Sequence, residues 1–101
     1  MDISIETSDG RTTLRLAGRF DTQNSLLLRN AAKPLLTAEN ISALVLDLGQ
    51  VNFIDSSGLG LLLLLREQAM AVGKSIILAN CSPEVMKVLS ITQFHRLFHM
   101  Q

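Results

Sequence analysis

Hydrophobic and polar residues alternate in two runs near the N-terminus, which is the pattern of half-buried β-strands. Ile3 and Ile5 belong to the first run, and Leu14 and Leu16 belong to the second. Asp9-Gly10 lies between the runs and is a strong signal for a type I′ hairpin turn. A two-residue loop places Ile5 opposite Leu14, and the other apolar pair then falls on the same face. The pattern therefore predicts an antiparallel hairpin.

The segment after the hairpin has the spacing of an amphipathic helix, with apolar residues at intervals of three and four over residues 27–36. Asp21 or Thr22 can cap the start of this helix, because both side chains accept hydrogen bonds from the first backbone N–H groups. Pro34 falls inside the pattern, and proline removes a hydrogen-bond donor and clashes with the preceding turn. We therefore predict that the helix is kinked or ends near Ala32, after about ten residues, and that a looser turn follows.

Three further elements follow from apolar runs. Residues 43–48 are apolar at both alternating positions apart from Asp47, which is typical of a central strand covered on both faces. Residues 59–72 are rich in leucine and predict a long helix that ends near Gly73. Residues 75–79 form a short apolar run and predict another buried strand.

The last third of the chain completes an alternation of strands and helices. Ser82-Pro83-Glu84 marks a helix start, with a hydroxyl cap, proline at the first helical position and an acid in the first turn. Residues 94–100 then predict a last strand. The predicted order is β-β-α-β-α-β-α-β, so we expect an α/β fold with a mixed β-sheet and crossover helices. A chain of 101 residues has room for one domain, which we place at residues 1–101.

Charge and composition restrict the classes of partner. Lys and Arg together number 9, as do Asp and Glu, so the chain lacks the basic surface that binds nucleic acid. The longest strongly apolar run, residues 58–65, is shorter than the roughly 20 residues that span a bilayer. The N-terminal residues lack the charged and apolar regions of a signal peptide. We therefore expect a cytoplasmic protein with no nucleic-acid partner and no direct membrane insertion.

Residue types that carry catalysis are sparse. Acyl transfer needs a nucleophile, a base and a group that orients the base, and the two histidines, His95 and His99, both lie in the last predicted strand. Residues four apart in a strand are about 13 Å from one another, which does not suit a shared metal ion. The single cysteine, Cys81, suits a structural thiol in a reducing compartment. We therefore expect no enzymatic activity, no cofactor and no metal site.

The segment 51–60 connects the central strand to the leucine-rich helix and contains the most informative polar residues. A helix start leaves backbone N–H groups without partners and is partly positive. Asp55, Ser56 and Ser57 are residue types that cap such a start, and the hydroxyl groups lie where an anion can be held. From the residues alone, these serines either cap the helix only or carry a switch.

The leucine-rich helix has too many apolar residues for one narrow buried face, because its five consecutive leucines exceed one turn. The face that can pack on the sheet carries Leu61, Leu64, Leu65, Ala69 and Val72. The opposite side carries Leu59, Leu63 and Met70, beside Arg66 and Glu67. This second side either packs under a neighbouring helix or offers an apolar stripe to a partner protein.

The stretch around the serines resembles a known family signature. We find the resemblance to STAS domains, and specifically to bacterial anti-sigma factor antagonists, in the run Leu46-Asp-Leu-Gly-Gln-Val-Asn-Phe-Ile-Asp-Ser-Ser-Gly-Leu-Gly60. The segment Gly18-Arg-Phe-Asp21 resembles the Gly-x-hydrophobic-Asp element of that family after its second strand. The predicted order of elements also agrees, so the resemblance covers residues 2–100. It implies an α/β STAS (SpoIIAA-like) fold.

The resemblance implies a binding module that is controlled by phosphorylation. In the family, a partner anti-sigma factor is itself an ATP-dependent serine kinase and phosphorylates the serine directly after the aspartate. That position is Ser56 here, and Ser57 is the alternative acceptor one residue away. A serine phosphatase of the PP2C type removes the phosphate. The unphosphorylated protein is expected to bind the anti-sigma factor and release its sigma factor.

The expected partner surface lies around the acceptor serine. The resemblance carries over Asp21, from the upstream element, and Asp55, beside the acceptor. Together with the serines and the start of the apolar stripe, the expected surface comprises Asp21, Asp55, Ser56, Ser57, Gly58, Leu59 and Leu63. The alternative function is a STAS subunit of a membrane transport assembly, such as the small partner of a lipid-transporting ABC ATPase, which would use the same surface.

Members of this family usually continue past the last strand into another helix, whereas the present sequence ends at Gln101. The sequence therefore does not show what covers the side chains of Phe94, Leu97 and Phe98. A homodimer, a fragment of a longer protein or a shorter natural form could each account for it.

Overall fold

The computed structural model describes all 101 residues, from Met1 to Gln101. Its strands and helices are β1 (Asp2–Ser8), β2 (Arg11–Phe20), α1 (Thr22–Thr37), β3 (Ala43–Ile54), α2 (Ser56–Ala71), β4 (Ser75–Ala79), α3 (Pro83–Ile91) and β5 (His99–Met100). The five strands form one sheet in the order β1-β2-β3-β4-β5. β1 is antiparallel to β2, and the other neighbouring pairs are parallel. The predicted α/β class, mixed sheet and order of elements are confirmed.

The N-terminal hairpin has the predicted register. Ile5 pairs with Leu14, and Ile3 pairs with Leu16. The turn Asp9-Gly10 has φ angles of 51° and 79°, and a type I′ turn requires positive φ at both positions. The two leucines of β2 are fully buried, whereas Ile5 is 51% exposed because β1 lies at the edge of the sheet.

The main core lies on one face of the sheet and includes side chains from β2, β3, β4 and all three α-helices. A second, smaller cluster lies on the other face: Ala43, Val45, Ile77 and Ala79. β3 is central in the sheet as predicted, and its residues 43–48 are buried on both faces apart from Asp47, although no helix contributes to the second cluster. Arg15 and Asp47 lie on this face beside Val45 and Ala79, and the aliphatic part of an arginine side chain can cover apolar surface while its charged end stays in water.

α1 is longer than predicted, because it continues through Pro34 to Thr37. The predicted end near Ala32 is wrong. Pro34 lies in the last turn, where few following residues depend on the distorted hydrogen-bond ladder. The end of the helix is held from outside: Lys74 Nζ donates hydrogen bonds to the carbonyl oxygens of Leu35 (3.3 Å), Leu36 (2.7 Å) and Ala38 (2.6 Å).

β3 is also longer than predicted, because a bulge interrupts its apolar pattern without ending the strand. The pairing with β2 shifts register around residues 47–50, and such a bulge bends a strand and lets it continue. Beyond the bulge, Val51 and Ile54 are buried. α2 begins at Ser56, earlier than predicted, so Asp55 alone connects the two elements.

The predicted last strand, residues 94–100, is largely wrong. Its first part is a short 3-10 helix, Phe94–Leu97, and only His99–Met100 pairs with β4. The preceding residue, Gln93, has a left-handed conformation with a φ of 64°. This conformation turns the chain sharply after α3. The segment therefore begins as a 3-10 helix that packs against the core, and not as a strand.

The side chains of this C-terminal segment are partly covered by the chain itself. Phe94 and Phe98 are half-buried and pack against the main core, whereas Leu97 is 40% exposed. The two histidines do not share a strand, because His95 lies in the 3-10 helix and His99 lies in β5.

α3 starts as predicted, with Pro83 as its first residue. Ser82 caps the helix, because its Oγ accepts a hydrogen bond from the backbone N–H of Val85 at 3.3 Å and donates one to the carbonyl oxygen of Val51 at 2.6 Å. This buried hydroxyl therefore joins α3 to β3. Cys81 is half-buried, and burial raises the pKa of its thiol, which agrees with the predicted structural role.

α2 presents one wide buried face, formed by Gly58, Leu61, Leu62, Leu65 and Ala69. Three of these, Leu61, Leu65 and Ala69, were predicted on the packed face. Leu62 was not, and its burial together with half-buried neighbours accounts for the excess of leucines. Val72 is 54% exposed, contrary to the prediction, because the helix ends before it. None of the three α-helices is long and apolar enough to cross a membrane.

Gly58 marks the closest approach of α2 to the sheet. A Cβ atom added there would lie 2.8 Å from both Cγ1 of Ile54 and the carbonyl oxygen of Phe20, which is closer than carbon atoms pack. Gly60, in the next turn, has no other atom within 4 Å of an added Cβ. Only the first of these glycines is required by packing.

We predict that Lys74→Met lowers the free energy of unfolding by about 1–3 kcal/mol, because three carbonyl oxygens at the end of α1 lose a charged donor. The measurement is urea denaturation followed by far-UV circular dichroism. Lys87→Met is the matched control, since Lys87 is exposed on α3, and its effect is expected to stay within about 0.5 kcal/mol. Equal effects of the two substitutions would contradict a structural role for Lys74.

We predict opposite effects for two glycine substitutions in α2. Gly58→Ala lowers the free energy of unfolding by about 1–3 kcal/mol, because the added methyl group forces Ile54 and Phe20 apart. Gly60→Ala raises it by about 0.5–1 kcal/mol, because alanine favours the helix and meets no neighbour. Urea denaturation of both variants checks the prediction, and a stabilising effect at position 58 would refute the close contact.

Candidate functional site

The candidate site is a corner of the molecule where two helices start side by side. The parallel strands β2 and β3 end next to each other, with Phe20 paired to Ile54. A single aspartate follows each strand, Asp21 after β2 and Asp55 after β3, and a helix begins at the next residue. The sheet therefore brings the starts of α1 and α2 together, although they are far apart in the sequence.

The two aspartates cap their helices in the same way. Asp21 Oδ1 accepts a hydrogen bond from the backbone N–H of Asn24, and Asp55 Oδ1 accepts one from that of Gly58, both at 3.1 Å. Their backbones are extended and nearly identical, with φ of −113° and −112°. Both residues are N-caps. This position suits an acidic side chain, because the start of a helix is partly positive.

A side-chain hydrogen bond connects the two helix starts. The Thr22 and Ser57 hydroxyl groups are 2.8 Å apart. The sequence indicated Thr22 only as a possible cap, and nothing in the spacing indicated that it reaches Ser57. The local signal that was available is the repeated order of an aspartate followed by a hydroxyl residue at both helix starts.

The two serines of the predicted switch have different surroundings. Ser57 is half-buried, and its hydroxyl is engaged by Thr22. Ser56 is exposed, and its hydroxyl makes no hydrogen bond within the chain. Both residues lie in the first turn of α2, where backbone N–H groups have no intrahelical acceptor. This helix start can therefore receive a negatively charged group at Ser56.

A stacked cation lies beside the first cap. The guanidinium group of Arg19 is 3.8 Å from the centre of the Phe53 ring, and its Nε is 3.6 Å from Asp21 Oδ2. Asp55 makes no ion pair. The corner therefore presents one carboxylate that is partly neutralised and one that is not.

The predicted apolar stripe is not a continuous exposed surface. Leu59 is half-buried and packs against the main core, Leu63 is half-buried, and only Met70 is largely exposed, at 60%. Gly58 is buried as well. The structure thus brings Asp21, Asp55, Ser56 and Ser57 together at the surface, while it places Gly58 and Leu59 in or against the core.

A shallow groove between α1 and α2 adjoins the corner on its other side. Its lining includes Ser57, Gly60 and Leu64 from α2, and Leu26 and Arg29 from α1. Leu26 is 58% exposed. These two residues of α1 are not among those that the sequence predicted for the site. Their signal is the helical spacing of three and four residues that places Thr22, Leu26 and Arg29 along one side of the helix.

Comparison with known proteins identifies the family. The family model of the STAS domain matches residues 2–101. A STAS-domain containing protein of Pseudomonas aeruginosa is 40% identical over 96 residues, which are 94% of this chain and 93% of that protein. BtrV of Bordetella bronchiseptica, named as an anti-sigma factor antagonist, is 29% identical over 98 residues, which are 97% of this chain and 84% of that protein.

Solved structures agree on the fold. The anti-sigma factor antagonist SpoIIAA in its unphosphorylated form matches with a TM-score of 0.83 at 24% identity, covering 99% of this chain and 88% of that one. The phosphorylated form of SpoIIAA from Bacillus matches with a TM-score of 0.76 at 23% identity, covering 99% of this chain and 91% of that one. The chain therefore belongs to the STAS domain family and has the SpoIIAA-like fold of the relatives named anti-sigma factor antagonists.

Proposed function

We propose that the protein is an anti-sigma factor antagonist that acts in the cytoplasm and is controlled by phosphorylation of Ser56. The unphosphorylated form binds an anti-sigma factor that is a serine kinase, and the sigma factor is released. Phosphorylation by this kinase ends the binding, and a PP2C-type phosphatase restores it. The protein itself is a binding module without catalytic activity. The named relatives and the capped helix start support this proposal.

The observation that carries the choice of Ser56 is the contrast between the two serines. A kinase must bring the acceptor oxygen in line with the γ-phosphate, so the hydroxyl has to be accessible and free to rotate. The Ser56 side chain is exposed and unbonded, whereas the Ser57 hydroxyl is engaged by Thr22 at 2.8 Å. Ser57 remains the alternative acceptor.

The fold can accept a phosphate at this position without rearrangement. A phosphoserine carries a charge of about −1.5 to −2 and three acceptor oxygens. The backbone N–H groups of Ser56 and Ser57 lie in the first turn and have no intrahelical acceptor, and the dipole of the 16-residue α2 favours negative charge at this end. Phosphorylation is therefore expected to leave the STAS domain folded.

A docked partner would experience the same phosphate as repulsive. The phosphate would lie next to Asp55, which makes no ion pair, and on the same corner as Asp21, so an acidic group of the partner would meet a concentrated negative charge. Bringing like charges together across an interface costs several kcal/mol of binding free energy. A loss of about 1.4 kcal/mol corresponds to a tenfold lower affinity. One phosphate can therefore lower the affinity about a hundredfold.

We propose the exposed part of the corner as the partner surface, extended along the α1–α2 groove. Asp21, Asp55 and Ser56 supply its polar part. Leu26, at 58% exposed, and the half-buried Leu64 supply apolar area beside them. Gly58 and Leu59 contribute indirectly, by fixing the position of α2 on the core.

We predict that Ser56→Ala abolishes phosphorylation and Ser57→Ala does not. The tagged protein is used to capture its partner from an extract of the source organism, ATP is added to the eluate, and the phosphoserine is located by mass spectrometry. The two variants are matched, because each loses one hydroxyl at the same helix start. Phosphate on Ser57 in the wild-type protein, or undiminished phosphorylation of Ser56→Ala, would refute the assignment.

The same capture separates the two functions left open by the sequence. Recovery of a protein kinase that also binds a sigma factor supports the antagonist. Recovery of a transporter ATPase instead supports the role as a subunit of a membrane transport assembly and overturns the proposal. The readout in each case is the identity of the protein retained by the wild-type chain.

We predict that Ser56→Glu weakens binding of the captured anti-sigma factor about ten- to a hundredfold, because it places a carboxylate where the phosphate would lie. Gln68→Glu is the matched control: it adds the same charge on the same helix, about 18 Å away, beyond the screening distance of about 8 Å at physiological salt. Affinities are measured by isothermal titration calorimetry at low and high salt. Equal losses for the two variants would contradict a local electrostatic switch.

A further inference from the structure

The outer edge of β1 is uncovered. The strand order places β1 at one end of the sheet, so one side of its backbone has no partner within the chain. The two-residue turn makes Ser8–Arg11 the first hydrogen-bonded pair of the hairpin, and such pairs alternate along an antiparallel ladder. Ser4 and Glu6 therefore bond to β2. Ile3, Ile5 and Thr7 direct their N–H and C=O groups outward.

This edge carries two charged side chains, Asp2 and Glu6, but has none of the other features that usually prevent pairing. β1 has seven residues in continuous register with β2, with no bulge, no proline and no lysine. Ile5 lies at its centre and is 51% exposed on the helix-bearing face. An extended, regular edge with a central exposed isoleucine is a template for another strand.

We propose that β1 pairs antiparallel with β1 of a second copy of this chain, about a two-fold axis at Ile5. The two five-stranded sheets then form one continuous sheet. Ile5 of one copy lies opposite Ile5 of the other, and Ile3 lies opposite Thr7. These are the residues whose backbone groups point outward, so every hydrogen bond of the new ladder has a partner.

Charge selects this register among those that the backbone permits. With the axis at Ile5, Ser4 lies opposite Glu6 and Asp2 lies opposite Ser8, so no like charges meet. With the axis at Ser4, Asp2 lies opposite Glu6 twice, and with the axis at Glu6 the two glutamates face each other. Like charges directly opposite one another destabilise a strand pair. Registers further from the centre pair fewer residues.

The proposed contact is small and leaves the switch corner exposed. A seven-residue strand is about 24 Å long, and a contact of this size belongs to the weak class of interfaces. The proposal does not depend on the proposed function, because the Ser56 corner lies at the ends of β2 and β3 and not along the outer edge of β1.

The register is tested by cross-linking in a chain without its native thiol. Ile5→Cys combined with Cys81→Ser is expected to form a disulfide-linked dimer under mild oxidation, because the two α-carbons would be about 5.5 Å apart. Ser4→Cys combined with Cys81→Ser is the control. The two Ser4 α-carbons would be about 8 Å apart, beyond the reach of a disulfide. Equal cross-linking of both variants, or none of Ile5→Cys, overturns the proposal.

The sign of the charge at Ser4 gives a second test. Ser4→Lys faces Glu6 of the other copy and is expected to tighten the dimer about two- to tenfold, and Ser4→Glu is expected to weaken it by a similar factor. Within its own hairpin, position 4 lies opposite Arg15, which favours Ser4→Glu and disfavours Ser4→Lys, so far-UV circular dichroism and thermal unfolding of both variants check that the hairpin is intact. Sedimentation equilibrium from about 10 µM to 1 mM measures both constants. A wild-type chain that stays monomeric throughout, or a dimer weakened by both substitutions, overturns the proposal.

Discussion

A single residue, Asp55, connects β3 to α2, and this short connection determines where the start of α2 can lie. The helix must turn back onto the sheet at once, and Gly58 allows it to do so because a side chain there would lie 2.8 Å from Ile54 and from the Phe20 backbone. Asp55 stabilises the turn by capping the helix. Ser56, which directly follows the capping aspartate, is therefore held at the surface by contacts that do not involve its own side chain.

The corner repeats this arrangement on the neighbouring strand, and the repetition gives the two serines different roles. β2 ends in Asp21 as β3 ends in Asp55, and Thr22 starts α1 as Ser56 starts α2. Because the strands are parallel neighbours, Thr22 reaches across to Ser57 and engages its hydroxyl. One serine is therefore part of the contact between helices. The other is available for modification, and its change would leave that contact intact.

Local signals account for the parts of the fold that could be predicted from the sequence. The hairpin register followed from Asp9-Gly10 and the alternation around it, and the α3 start followed from its serine cap and proline. Features held by distant residues could not be predicted. Lys74 binds three carbonyl oxygens at the end of α1, beyond Pro34, and no pattern around the proline shows this contact.

The residues of the candidate site also divide into those that have a local sequence signal and those that do not. Its aspartates and serines were identified because they occur in a short run with a recognisable signature. The groove residues Leu26 and Arg29 were not, because an exposed leucine and arginine in an amphipathic helix have no distinctive local pattern. They gain significance only when α1 and α2 are seen to start side by side. The exposed apolar area of α2 was overestimated, because the sequence does not show that Leu59 packs against the core.

The charge balance of the chain bears on how far the proposed switch at this corner would act. The 9 basic and 9 acidic residues cancel, so a partner approaches no strong overall field and responds to groups within a screening distance of about 8 Å. At the corner, Arg19 is already engaged by Asp21 and by the Phe53 ring. A dianion added at Ser56 would therefore be balanced mainly by the helix start itself, through N–H groups that face it. A partner that covers this corner would have to remove the phosphate from water, which costs free energy unless a cation balances the charge, so the proposed loss of binding needs no change of conformation.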